Sequence, residues 1–233
     1  MFPRLKNTFV VMEVDNEHRE PFAQKNGKMS CCEYEDPTRL QTSTEQFLVL
    51  EIHYAQNVRY FEPILPEIRY LLELSDDVKQ AGDEVLQRWK IGHAGAMCAH
   101  IRRSDFISLR LATTLRDSVQ KIQHIAALSN LTEYVIFGDD VDFMKSMQER
   151  MHPKKVHYSI YSEGVDFHIA SNVCQAMFIT APTSTFGWWL AFFSPNQNSI
   201  YYNSDPSNMS DKFPNKDLYL SSWKNYSELE RWT

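Results

Sequence analysis

Glycine is scarce, with seven residues in a chain of 233. That excludes collagen-like and glycine-rich low-complexity chains, and no stretch recurs at the period of a solenoid. Basic runs are missing as well. No run of Lys or Arg exceeds a pair, and the formal net charge is −6, so the chain lacks the electrostatic footprint of a nucleic-acid or anionic-membrane binder. Nucleic acid is therefore not an expected partner, and any anion must be held locally. No window approaches the ~18 consecutive apolar residues of a membrane helix. The opening MFPRLKNTFVVMEVDNEHRE has no apolar core of a signal peptide, so neither anchor nor signal peptide is visible.

Cysteine is sparse too, at four residues. Cys31 and Cys32 are adjacent and poorly placed to pair with each other, while Cys98 and Cys174 sit in apolar segments where buried free thiols are expected. The eight histidines show no zinc spacing, and no second Cys/His cluster completes one. Three acceptor tripeptides begin at Asn130, Asn208 and Asn225; they matter only in a secretory lumen.

What the chain does have is a core: 43% of its residues are hydrophobic and 13% aromatic, enough for a folded domain. From Met97 onward short apolar runs alternate with longer amphipathic ones, the pattern of strands and helices around a parallel sheet. Strands are expected at Met97–Ile101, Tyr134–Phe137, Val156–Ser162, Ala176–Thr180 and Ser199–Asn203. Helices are expected at Leu111–Leu128, Val141–Met151, Val165–Cys174 and Phe186–Phe193. Upstream, Gln46–His53 reads as a strand and Glu62–Leu74 and Asp76–Trp89 as helices, after 45 polar, mixed residues. Gly92 to Gly95 is the natural boundary, dividing 1–94 from a Rossmann-like 95–233.

Three polar loops follow three of these strands: Arg102-Arg103-Ser104-Asp105, Gly138-Asp139-Asp140, and Ala181 to Gly187. In a parallel sheet all strand C-termini share one edge, so the loops converge where open α/β folds bind ligands. Guanidinium groups form bidentate bonds to phosphate oxygens, and a Ser/Thr-rich loop entering a helix offers hydroxyls and unpaired N–H groups. A diphosphate fits that chemistry, with Asp105 steadying Arg103. Taken alone, however, an Arg-Arg-x-Asp turn reads first as a surface ion pair worth roughly 0–1 kcal/mol. Asp139, Asp140 and Asp142 suit a divalent metal, yet Asp140 is better placed as the cap of Val141–Met151. Trp188 and Trp189 are expected to pack on the sheet, with a sugar or base pocket as the other use.

In order and spacing these segments resemble the galactoside alpha-1,2-fucosyltransferases, glycosyltransferase family 11, in a divergent nematode-like form. CAHIRRSDF is similar to the family's His-x-Arg-Arg-Gly-Asp-aromatic motif, with Ser104 in the glycine's place. VIFGDDVDFM and DFHIASNVCQAMFITAPTSTFGWWLAFF are similar to its second and third motifs, and YAQNVRYFEPILPEIRYLLELS to the segment before the first. The likeness runs from about Phe47 to Trp223; the first 45 residues and an anchor show none, so the chain reads as an N-terminally shortened member. The resemblance implies a GT-B-type glycosyltransferase: a Rossmann-like α/β donor domain beside an incomplete N-terminal α/β portion on the acceptor side. It implies an inverting enzyme of the Golgi that moves fucose from GDP-fucose to the 2-hydroxyl of a galactose-containing glycan, without cofactor or metal. Carried over residue by residue, Arg102 grips the β-phosphate as the catalytic group. His100 and Asp166 contact the nucleoside, Arg103 and Asp105 belong to the same donor loop, and Ser184, Thr185 and Phe186 line the phosphate and base pocket. A relic that binds GDP-sugar without transferring it, or an enzyme of different linkage, are the competing expectations.

Overall fold

A computed structural model describes residues 1–10, 17–29, 31–204 and 216–229; the tripeptide at Asn208 lies outside them. The chain divides into two compact units. The larger holds Met1, Leu74–Phe213 and Ser221–Thr233, and the smaller holds Phe2–Glu73 and Pro214–Leu220.

In the larger unit helix α1 (Asp76–Trp89) precedes strand β1 (Ala96–Ile101). Then follow α2 (Leu115–Leu128), β2 (Glu133–Gly138), α3 (Val141–Met151) and β3 (Lys155–Tyr158). The unit continues with α4 (Glu163–Val173), β4 (Cys174–Ile179), α5 (Thr185–Phe193), β5 (Ile200–Tyr202) and β6 (Lys224–Asn225). The six strands form one sheet in the order β6-β5-β4-β1-β2-β3, and every pairing is parallel. This is the expected Rossmann-like α/β architecture.

Parallel strands covered by helices on both faces read as continuous apolar runs. Every residue of β1 is buried accordingly, including His100. One face carries Met97, Ala99 and Ile101 against Ile122, Ile125 and Met144 of α2 and α3. Strand alternation turns Cys98 and His100 to the other face, where α5 contacts β1 and β4, and α4 packs on α5 and α1. Caps fix where helices begin. Thr114 Oγ accepts from Asp117 N at 3.2 Å, so α2 starts at Leu115 rather than Leu111. Asp140 Oδ1 accepts from Phe143 N at 3.0 Å and starts α3 at Val141 as expected.

Other expectations are corrected. The strand expected to run to Ser162 ends at Tyr158, and the helix expected at Val165–Cys174 spans Glu163–Val173. The boundary falls at Glu73 to Leu74, not at Gly92 to Gly95. Helix α1 belongs with the sheet because it packs on α4, with His168 Nε2 at 2.7 Å from Asp83 Oδ1. The cysteines are not free thiols: Cys98 bridges Cys174, and Cys31 bridges Cys32. Cys98 and Cys174 lie on paired neighbouring strands with Cα atoms 5.4 Å apart, within disulfide reach.

In the smaller unit, strand Leu48–Glu51 pairs parallel with His18–Pro21, inside the polar stretch that carried no strand signal. Gln24–Lys25 and Lys28–Met29 form a hairpin. Its turn, Asn26-Gly27, has both φ angles positive, the backbone that favours Asn-Gly. The helix expected over Glu62–Leu74 is a 3-10 turn (Glu62–Ile64) followed by Leu65–Leu71, each opening next to a proline, Pro63 and Pro66.

Candidate functional site

From β1 the chain moves outward through β2 and β3, then returns to place β4 on the opposite side of β1. The carboxyl ends of β1 and β4 therefore flank a topological switch point, where open α/β sheets receive ligands. Ile101 leads into Arg102 there, and Ile179 into the Thr180–Ser184 loop.

Asp139 organises the first loop. One carboxylate oxygen accepts from Arg103 N at 2.8 Å and the other from Ser104 N at 3.2 Å and from Ser104 Oγ. Arg102 Nη1 stands 3.1 Å away. Partial burial pushes this carboxyl up, but the Ser104 hydroxyl, the Arg103 amide and the Arg102 charge together hold it below the ordinary range. Asp105 Oδ1 accepts from Arg102 Nε at 2.9 Å, and that bond lowers its own pKa. The expected Asp105–Arg103 pair is thus an Asp105–Arg102 pair. Arg103 instead reaches Asp140 Oδ2 at 3.1 Å, donates to Thr113 O, and lies over the Phe143 ring with Cζ 3.9 Å from its centroid. Arg103 is a strut of the loop. Arg102, with 36% of its side chain exposed and carboxylates on two sides, presents a fixed cation to the edge. Ser104, in the position of a glycine, donates its hydroxyl to Asp139 and opens the short helix Ser104–Ser108.

His100 lies beneath this loop. Burial drives its pKa down to about 4, with Asp139 opposing and Arg102 assisting, so it is neutral at physiological pH. Its ring packs edge-on to Phe186 at 5.7 Å. Its Nδ1 is buried without a hydrogen-bond partner among the described residues. A Cβ at Gly187 would fall 2.4 Å from that nitrogen, so glycine there lets α5 sit on the ring. Ser184 caps α5, accepting from Gly187 N at 3.4 Å; Thr185 is exposed and Phe186 half-buried. The positive end of α5 thus faces the switch point. Phe186 also contacts Phe167 at 5.3 Å.

Phe167 follows Asp166, in the first turn of α4. Asp166 is buried and accepts from Ser159 Oγ. Burial raises its pKa to about 7, Ser159 working against that and Glu163 adding to it. Sequence reasoning missed Ser159 and the central part of Asp139. Asp142 pairs with Lys145 at 3.8 Å, and no three His, Cys, Asp or Glu side chains are grouped to hold a metal among the described residues. The structure brings Arg102, Arg103, Asp105 and Asp139 into one network and His100, Phe186, Gly187 and Phe167 into another, at neighbouring strand ends.

A fixed guanidinium and a helix N-terminus at the switch point of a parallel α/β sheet are groups that suit an anion. The sequence profile of glycosyl transferase family 11 matches residues 3–227; the chain belongs to that family. The match includes residues 3–45, where sequence reading found no likeness. A galactoside 2-alpha-L-fucosyltransferase of Caenorhabditis elegans is 28% identical over 84% of this chain and 57% of its own length. Another of that name and organism is 25% identical over 96% of this chain and 63% of its own. The chain thus spans about three fifths of these relatives. Among solved structures, a family 9 glycosyl transferase from Veillonella parvula has a TM-score of 0.46 and 13% identity, over 69% of this chain and 43% of that one.

Proposed function

We propose that the chain transfers fucose from GDP-fucose to the 2-hydroxyl of a terminal galactose on a glycan, with inversion at the sugar carbon. The observation that carries the reading is Arg102, fixed by Asp105 and Asp139 at the switch point. In the reaction the acceptor oxygen bonds to the fucose C1 while the C1–O bond to the diphosphate breaks. The electron pair leaves on GDP, and the acceptor proton passes to a base. Arg102 stabilises the charge building on the leaving diphosphate. Neutral His100 and Phe186 form the wall next to the nucleoside. Asp166, once ionised, accepts from the N–H groups of the guanine, and Ser184 and Thr185 border the phosphates at the α5 N-terminus. No cofactor or metal enters the scheme.

On this reading the sheet unit is the donor domain of a GT-B-type enzyme and the N-terminal residues belong to the acceptor side. A secretory, Golgi-type location is favoured by the Cys98–Cys174 bridge, since such bonds persist in oxidising compartments. No helix among the described residues is long and apolar enough to cross a membrane. The test is transfer of labelled fucose from GDP-fucose to a galactose-terminated oligosaccharide, with the linkage read by NMR. An Arg102→Ala chain should lose roughly 100-fold or more in rate; transfer unaffected by that substitution, or no transfer by the folded parent, sinks the proposal.

A further inference from the structure

A cleft of about 400 Å³ opens beside the same loop, lined among others by Arg103, Ile107, Arg110, Thr113, Thr114 and Phe143. Arg103 turns there toward Asp140 and Phe143, which follow β2, and β2 pairs with the edge of β1 opposite β4. The cleft therefore lies on the β2 side of the loop, whereas the donor crevice lies on the β4 side.

Its two arginines differ in their surroundings. Arg103 is answered by Asp140. Arg110 is exposed, and its guanidinium meets no partner among the described residues. In a chain of net charge −6, the guanidinium of Arg110 at the mouth of this cleft is the group that an external anion would meet. The remaining lining suits a sugar, with Phe143 and Ile107 as apolar walls and Thr113 and Thr114 as polar groups. The volume is at the low end of small-ligand sites, about 300–1,000 Å³.

We propose that this cleft seats an acidic substituent of the acceptor glycan, a sulfate ester or carboxylate, with Arg110 as its charged contact. The inference rests on the donor reading above, because an oxyanion bound on the far side of the loop from the donor belongs to the second substrate. The test is titration of the full chain with N-acetyllactosamine, with the same disaccharide sulfated on galactose O6, and with GDP, for the parent, Arg110→Gln and Arg102→Ala. The parent is expected to bind the sulfated disaccharide about tenfold tighter than the plain one. Arg110→Gln should erase that preference and hold GDP affinity within about twofold, while Arg102→Ala should weaken GDP and keep the preference. The inference is overturned if the parent binds neither disaccharide or both equally, if Arg110→Gln retains the preference, or if it weakens GDP as Arg102→Ala does. If GDP does not bind the parent but the preference exists and depends on Arg110, the donor reading falls and the oxyanion seat stands.

Discussion

Opening the Cys98–Cys174 bridge is expected to cost about 4.5 kcal/mol. The two cysteines are 76 residues apart in sequence and lie on strands at the centre of the sheet. The chain-entropy expression for a loop of that length gives about 4.5 kcal/mol, against about 0.6 kcal/mol for adjacent cysteines such as Cys31 and Cys32. Both core thiols are fully buried, so reduction leaves two small apolar groups in place and no unpaired charge. For 233 residues, the usual unfolding entropy per residue converts the larger loss into about 9 °C of melting temperature. Thermal unfolding with and without reductant measures it, beside a Cys31→Ala/Cys32→Ala chain that isolates the core bridge. A melting temperature indifferent to reductant in that chain, or two titratable thiols in the unfolded, unreduced protein, would refute the pairing and with it the support for an oxidising compartment.

Asp166→Asn tests a different link. Burial makes the folded state hold a proton that the unfolded chain releases near pH 4, so the parent should lose stability as pH rises from about 4 to 7 and level off above. The span from 3.8 to about 7 corresponds to roughly 4 kcal/mol. Asn should flatten that slope in urea unfolding at stepped pH while abolishing GDP binding; an unchanged slope would show that Asp166 is not the buried acid. Gly187→Ala should destabilise by about 1–3 kcal/mol, because the new methyl meets the His100 ring; a melting temperature equal to the parent's would contradict that contact. Asp140→Ala removes a helix cap and the partner of Arg103 and should cost about 1–2 kcal/mol in the same assay. In secreted protein, Asn130, exposed in a turn, should carry a glycan, whereas Asn225, whose Oδ1 accepts from Ser204 Oγ at 2.6 Å and Ser227 N at 2.9 Å, should not; peptide mass spectrometry after enzymatic deglycosylation distinguishes them.

Helices with strong periodicity were legible in the sequence. Asp76–Trp89 and Val141–Met151 have the bounds expected of them, and five apolar runs became neighbouring strands. Side-chain partners were less legible because they depend on strand order. Only when β2 lies beside β1 can Asp139 receive the amides of Arg103 and Ser104. The exchange at Asp105 has a local cause: a helical turn at Ser104–Ser108 folds Asp105 back three residues onto Arg102 and frees Arg103 for Asp140. The core bridge escaped notice for the same reason as Asp139, since it joins strands that are adjacent in the sheet and far apart in the chain. Ser159 carried no signal in sequence: it matters only because β3 ends next to the first turn of α4.

The central claim is that Arg102 holds the diphosphate of a GDP-sugar, and calorimetric titration with GDP-fucose tests it most directly, beside GDP-mannose and the Arg102→Ala chain. Binding selective for GDP-fucose and lost in a folded Arg102→Ala protein is the predicted result. Equal binding by the parent and the Arg102→Ala chain, or none by the folded parent, contradicts it.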